Sequence, residues 1–176
     1  MSNGMFTTFL SPTGATQQLA ATLTQGCTTP LQALNKLVKI RYIKASDNYP
    51  IVSYKSDQAG YKELEFWASP DQTIANRFGD CEDMSMLICA MAQGLPDNLR
   101  PQEVRVAVGK ADPLIILPFI SGLGMFHAWC EALVDGVWYI VDGVNGHCGR
   151  YPDPRYRHIF AIYATKVQMF GGVMMI

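Results

Sequence analysis

The sequence predicts an α+β domain in which helices come first and a mostly antiparallel sheet follows. Three observations carry this expectation. Before Gly94 apolar residues recur at helical spacing in several segments, and beyond Pro101 they alternate with the period of strands. An Asp-Gly pair, Asp135-Gly136, then stands between two extended apolar runs, the strongest short-range hairpin signal. At 176 residues, 49% of them hydrophobic, the chain is long enough to bury one core. We expect a domain over 29–176, preceded over 1–28 by an uncharged N-terminal arm or weak helix.

Residues 14–25 are rich in Thr, a poor helix former, so a short weak helix is expected there. A better one begins at Thr29-Pro30, with Leu31, Leu34 and Val38 on one face, and ends before the turn at Ser46-Asp47-Asn48. Residues 47–66 read as irregular or briefly extended. Ser69-Pro70-Asp71-Gln72 combines a cap, a first-turn Pro and first-turn polar residues, opening a short helix that stops at Gly79. A longer helix starts at Asp80 or Cys81 and runs to Gln93, ended by Gly94 and Pro96; its Met84, Leu87, Ile88 and Met91 form a core stripe. Strands are expected over 103–108, 125–134, 137–144 and 158–165, with an edge strand over 167–170.

Composition narrows the function classes. A net charge of −1 provides no global field to recruit nucleic acid or an anionic membrane. No run reaches the ~18 apolar residues of a membrane span. The opening Met-Ser-Asn-Gly-Met lacks the basic start of a signal peptide, and Thr7, Thr8 and Ser11 interrupt the apolar stretch behind it. Five cysteines, an odd number without a CxxC pair, suit reduced thiols and favour the cytoplasm.

Cys81 stands at the mouth of the longer helix. Unpaired backbone N–H groups and the helix dipole there favour a thiolate and can receive a developing oxyanion. The competing reading is a buried structural cysteine. Against activation stand Asp80, Glu82 and Asp83, since like charge disfavours ionisation. An offset is therefore expected from a histidinium, from an arginine such as Arg77, or from a bound cation. A two-residue turn at Asp135-Gly136 makes cross-strand pairs sum to 271, so Val134 faces Val137, Trp129 faces Asp142 and His127 faces Val144. His127 and Asp142 then share a face as diagonal neighbours, a geometry in which a carboxylate fixes an imidazole tautomer. A one-residue slip would separate them. Asp142 is equally a turn former before Gly143, and Trp129 and Trp138 read as core. A zinc site built from His127, Cys130, His147 and Cys148 is disfavoured, because strand parity sends His127 and Cys130 to opposite faces.

These residues carry a resemblance. Phe66 to Thr73, followed by Gly79-Asp80-Cys81-Glu82-Asp83-Met84-Ser85, resembles the nucleophile motif of the transglutaminase-like superfamily, in particular its bacterial cysteine proteinases. Phe126-His127-Ala128-Trp129-Cys130-Glu131 resembles the family's His strand, and Trp138 to Asp142 its Asp strand. The resemblance implies a papain-like fold, with Cys81 as nucleophile, His127 as base and Asp142 as its orienter. It also implies acyl transfer on the amide bonds of a protein or peptide through a Cys thioester. Hydrolysis is the expected outcome, and protein crosslinking the alternative. From another class, a non-catalytic assembly protein would keep the fold, its arm and its apolar C-terminal end (170–176) docking to a partner. No cofactor is required by such chemistry. In some of the bacterial proteinases the acids flanking the nucleophile bind calcium, and Asp80 and Glu82 match those positions. The Cys81 amide is the first oxyanion donor, with Trp67 and Gln72 as candidates for the second. Gly109 to Gly124 makes a longer connection than the family pattern, either a lid or a buried extra strand. Arg150 to His158 holds three arginines, which read as a solvated loop or as a contact for an acidic substrate.

Overall fold

The computed structural model describes residues 10–45, 47, 50–60, 67–111, 125–163 and 167–169. The expectations for residues 1–9, for most of the 109–124 connection and for the 170–176 end therefore lie outside the described residues. The first helix, α1 (Gly14–Leu23), opens with a capping box in which Thr13 and Thr16 satisfy each other's backbone amides. Its Ala20 and Leu23, with Leu10 ahead of it, are buried in the core. Helix α2 (Pro30–Leu37) has Thr29 as its cap and Pro30 in its first turn. It ends well before Ser46, because the chain tightens into successive i→i+3 turns at Lys39→Lys36 and Ile40→Leu37.

The stretch expected to be irregular contains a two-residue strand, β1 (Ser53–Tyr54), and a single helical turn, α3 (Asp57–Gly60). Helix α4 (Pro70–Asn76) begins at the Ser69-Pro70 signal and closes on Arg77 in the left-handed region, two residues before the expected stop at Gly79. Strand β2 (Phe78–Gly79) then pairs in parallel with β1, Tyr54 facing Gly79. Helix α5 (Cys81–Gln93) follows at once. Rather than burying one stripe, it buries every residue from Glu82 to Ala92. It is therefore the central helix, wrapped by α1, α2 and α4 on one side and by the sheet on the other. Among the described residues no helix is long and apolar enough to cross a membrane.

The sheet comprises β3 (Glu103–Ala111), β4 (Met125–Val134), β5 (Val137–Asp142), β6 (His147–Arg150), β7 (Tyr156–Ile162) and β8 (Val167–Met169). Their order is β6-β5-β4-β3-β7-β8, and every neighbouring pair is antiparallel. The fold class is thus α+β, as the sequence implies. Strand β6 is an addition to the expected set. The β4–β5 turn has both Asp135 and Gly136 at positive φ (50° and 75°), the condition of a type I′ hairpin. The register follows from it: Val134 pairs with Val137 and Cys130 with Val141, each sum being 271.

That register sorts β4 into two faces. Ala128, Cys130, Ala132 and Val134 join the core beneath α5, while Trp129 joins a second apolar cluster with Ile140 and Tyr156 on the opposite face. The helix presses close to the end of β5. A Cβ placed on Gly143 would meet Ile88 Cδ1 of α5 at 2.6 Å, so any larger residue directly after Asp142 requires the Ile88 tip to move.

Candidate active site

Asp142 ends β5 and is fully buried. Its two oxygens do different work. Oδ1 accepts the amides of Val144 (3.0 Å) and Asn145 (3.2 Å), which closes the turn and stops β5 two residues short of the expected end. Oδ2 accepts His127 Nε2 (2.8 Å), Asn145 Nδ2 (2.6 Å) and the Tyr156 hydroxyl (2.9 Å). The sequence left Asp142 as either a turn former or an imidazole partner; in the structure it is both. Burial alone would raise its pKa, but the His127 hydrogen bond and charge, together with Asn145, hold it below the usual carboxylate value. Tyr156 was not foreseen. It arrives from β7, opposite Ala111, and no local spacing could have pointed to it.

With Nε2 engaged by a carboxylate, His127 has Nδ1 as its remaining ring nitrogen. The ring lies alongside Trp129 (centroids 6.1 Å, 28° between planes), which in turn packs between Tyr156 and His158. The indole Nε1 donates to Glu131 Oε1 at 2.9 Å. Glu131, fully buried, also accepts Arg105 Nε at 2.7 Å and pairs with His158. Arg105 lies 4.0 Å over the Trp138 ring. Trp129 is therefore a core residue, as expected, and it forms part of the wall behind His127.

Cys81 opens α5, and its sulfur lies toward β4, near enough to the Ala128 backbone amide for that amide to favour the thiolate. Ala128 follows His127 directly in the chain. Its thiol proton, however, is donated to Glu82 Oε2 at 3.2 Å. Of the two opposing influences expected at the helix mouth, the one that disfavours ionisation prevails. Burial, then the charges of Glu82 and Asp80, push the Cys81 pKa well above the ordinary thiol value, and they outweigh the Ala128 amide. The arginine suggested as an offset is directed elsewhere: Arg77 pairs with Asp47 and donates to the Pro50 carbonyl at 2.9 Å.

The acids themselves form a compact group. Burial and a hydrogen bond to Glu82 raise Asp80 to about 9; burial raises Glu82 as well. Asp83 is raised to about 7, chiefly by burial, although its Oδ1 accepts the Ala68 amide at 2.7 Å. The Asp80 and Asp83 amides lie near enough to favour the charged forms, yet α5 has no side-chain cap hydrogen bond from Asp80. Ligand atoms of Asp80, Cys81 and Glu82 lie within 4.8 Å of one another, as do those of Asp57, Asp80 and Asp83. Tyr54 is drawn into the same field: burial, then the charges of Cys81 and Asp80, raise its phenol.

Of the other candidates, Trp67 packs partly buried against the core. Gln72 closes a capping box on α4, its Oε1 accepting the Ser69 amide at 2.8 Å. Cys130 lies on the α5 side of the sheet, away from the face of Trp129. His147 and Cys148 fall in β6. Within the arginine-rich stretch, Arg155 is held by Asp153.

Solved structures of other proteins share this fold. A candidate cysteine protease of Cytophaga hutchinsonii aligns with 84% of the chain at 23% identity and a TM-score of 0.52, and the chain spans 46% of that protein. Calcium-bound LapG of Legionella pneumophila aligns with 88% of the chain at 18% identity and a TM-score of 0.51, covering 86% of LapG. At these identities the likeness is one of fold. Comparison with the curated proteins gave no match. The family model of the transglutaminase-like superfamily matches residues 17–143. That span runs from α1 to just past the carboxylate that meets the imidazole, well over half of the molecule, and the chain belongs to the transglutaminase-like superfamily.

Proposed function

We propose that the protein catalyses acyl transfer on amide bonds of a protein or peptide through a thioester on Cys81, with water as the usual acceptor. Membership of the superfamily supports a cysteine-dependent activity. The observation that carries the finer reading is the 2.8 Å contact between His127 Nε2 and Asp142 Oδ2, one residue from the amide that lies near the Cys81 sulfur. Asp142 holds the Nε2–H tautomer and leaves Nδ1 as the base. In the reacting state the thiol proton leaves Glu82 and passes to Nδ1. The thiolate attacks the amide carbon, and the Cys81 amide donates to the oxyanion, with Trp67 a candidate for the second donor and Gln72 a weaker one given its capping bond. The histidinium then protonates the departing amine, and water, deprotonated by His127, releases the acid and restores the thiol. If a second amine takes the place of water, the product is a crosslink.

Calcium enters the proposal through Asp80 and Glu82. The donor set fits a hard cation: Asp80 Oδ1 is buried and has no hydrogen-bond partner among the described residues, and the proton that Asp80 retains to about 9 is one that a cation would displace. Such an ion would supply positive charge beside Cys81 and favour its thiolate.

The competing non-catalytic reading draws on one observation, the raised pKa of Cys81. Intact-mass analysis of the chain incubated with peptide amides separates the two readings. Acyl transfer predicts an acyl adduct on the wild type that is absent from Cys81→Ala. No adduct, together with equally slow alkylation of Cys27, Cys81 and Cys148, would refute it.

A further inference from the structure

Arg41 has played no part in the chemistry so far. Arg77, Arg100, Arg105 and Arg155 each pair with a carboxylate, but Arg41 pairs with none among the described residues. Its guanidinium is nevertheless held in place. Nη1 donates to the Val144 carbonyl at 2.9 Å, and the charge lies over two tyrosine rings, 5.8 Å from the centre of Tyr42 and 5.5 Å from that of Tyr54. Among the described residues the Val144 contact takes a single N–H of the fork. A fixed cation with spare donors is equipped to bind a carboxylate through paired hydrogen bonds.

Both anchors of Arg41 border the reacting groups. Val144 donates its own amide to Asp142 Oδ1, so Arg41 grips the corner that carries the carboxylate of the imidazole pair. Tyr54 pairs across β1–β2 with Gly79, two residues ahead of Cys81. Arg41 thus stands between the Asp142 corner and the strand that leads to the thiol. The surface here is also apolar where it meets water. Three large hydrophobic side chains are exposed among the described residues, Tyr42 (52%), Tyr54 (43%) and Phe126 (70%). Phe126 directly precedes His127, and the Tyr42 hydroxyl donates to the same Val144 carbonyl at 3.1 Å. All three therefore border the thiol or the imidazole pair, and exposed apolar groups gathered at one place mark a surface that meets another molecule. Asp80 keeps its proton to about 9, which reduces the repulsion an arriving anion would meet from the helix mouth.

We propose that Arg41, framed by Tyr42 and Tyr54, is a substrate-binding residue that receives an acidic side chain, aspartate or glutamate, of the peptide acted on at Cys81. The carboxylate takes the guanidinium N–H groups that Val144 leaves, and the two rings cover the methylene stem of the acidic residue. That the carboxylate belongs to a peptide rests on the acyl-transfer reading, whereas the anion site stands on the Arg41 geometry alone. Arg41 sets which peptide is held and takes no part in bond making.

A matched pair of thiol reagents tests the site without turnover. The Cys81 thiolate attacks one sulfur of an aromatic disulfide, a mixed disulfide forms, and the other half leaves as the aryl thiolate. The anionic bis(nitrobenzoate) disulfide is compared with the neutral dipyridyl disulfide on the full chain, the rate at each cysteine being read by peptide mass. The ratio of the two rates cancels the ionisation of the thiol itself. That ratio, anionic over neutral, is expected to be roughly threefold to tenfold higher at Cys81 than at Cys27, and to fall by a similar factor in Arg41→Gln. Arg41→Lys should recover part of it. Tyr42→Phe removes the other hydrogen bond to the Val144 carbonyl but keeps the cation, so its ratio should stay within about twofold of the wild type. A peptide amide containing Glu should slow the anionic reagent at Cys81 at least about threefold more than its Gln counterpart. Equal ratios at Cys81 and Cys27, no fall in Arg41→Gln, an equal fall in Tyr42→Phe, or equal protection by the two peptides would each overturn the proposal. Should Arg41→Gln fail to fold, seen as labelling of the buried Cys89, the wild-type contrast and Arg41→Lys still decide. A chain that forms no acyl adduct yet shows these ratios would sink the acyl-transfer reading and leave the anion site standing; an adduct without the ratios would do the reverse.

Discussion

Replacing Asp142 by Asn is the most searching perturbation of the site, because the two side chains are nearly isosteric and the outcome follows from counting donors. Oδ1 faces two backbone N–H groups, and Oδ2 faces the His127 ring, Asn145 Nδ2 and the Tyr156 hydroxyl. An amide has one acceptor end. If its oxygen faces the turn, its NH2 meets His127 Nε2, and the ring must move its proton to Nδ1, the nitrogen the sulfur needs as a base. If its oxygen faces His127, two buried backbone amides meet an NH2 group. Either way two or three donors lose their acceptor, at about 1–3 kcal/mol for each that cannot turn aside. Tyr156 and Asn145 can re-aim, so we expect a net loss of roughly 2–5 kcal/mol, which for a chain of this size lowers the melting temperature by roughly 5–15 °C. Turnover should fall by about three to four orders of magnitude at neutral pH, the cost of the wrong tautomer in a comparable protease triad. Thermal denaturation reads the first effect. Long-range ¹H–¹⁵N correlation of the His127 ring reads the second, with the Nε2–H form expected in the wild type and Nδ1–H in the variant. A wild-type ring already in the Nδ1–H form, or a variant that melts with the wild type, would refute the reasoning.

Two further outcomes follow from buried charge. Glu131→Gln leaves Arg105 buried without its anion, so a destabilisation of about 3–5 kcal/mol is expected, with partial recovery in the Glu131→Gln/Arg105→Met double variant; thermal melts of both check this. The metal-free chain should lose stability as pH rises. Asp83 and Asp80 hold their protons to about 7 and about 9 in the folded state, whereas the unfolded chain releases them near the ordinary carboxylate value. Their contribution is thus full below about pH 4 and is lost progressively up to about pH 9. Melting temperatures in chelator should fall between pH 5 and 9, and a flat or rising profile would contradict the assignment.

Much of this was legible in the sequence wherever local chemistry decides structure. Ser69-Pro70 capped α4, Asp135-Gly136 set the hairpin type and hence the register, and that register brings His127 to Asp142. What could not be read is what distant chain supplies. Strand β6 has no alternation of its own, with Gly149 between Cys148 and Arg150, and it is extended because β5 offers it an edge. Tyr156 and Asp57 reach the site across the sheet and through the β1–β2 pairing, neither of which has a signature at those positions. The state of the thiol was the third gap. The helix mouth and the acids pull the Cys81 pKa in opposite directions, and the balance turned on burial.

The divided labour of Asp142 has a consequence for how this protein can change. One oxygen folds residues 142–145 while the other steers the imidazole, so a mutation there alters abundance and turnover together. At Cys81 those two traits come apart, because the thiol can be removed while the helix behind it remains. Laboratory evolution could therefore redirect the chemistry through the mouth of α5, while the corner after β5 resists revision as an indivisible block.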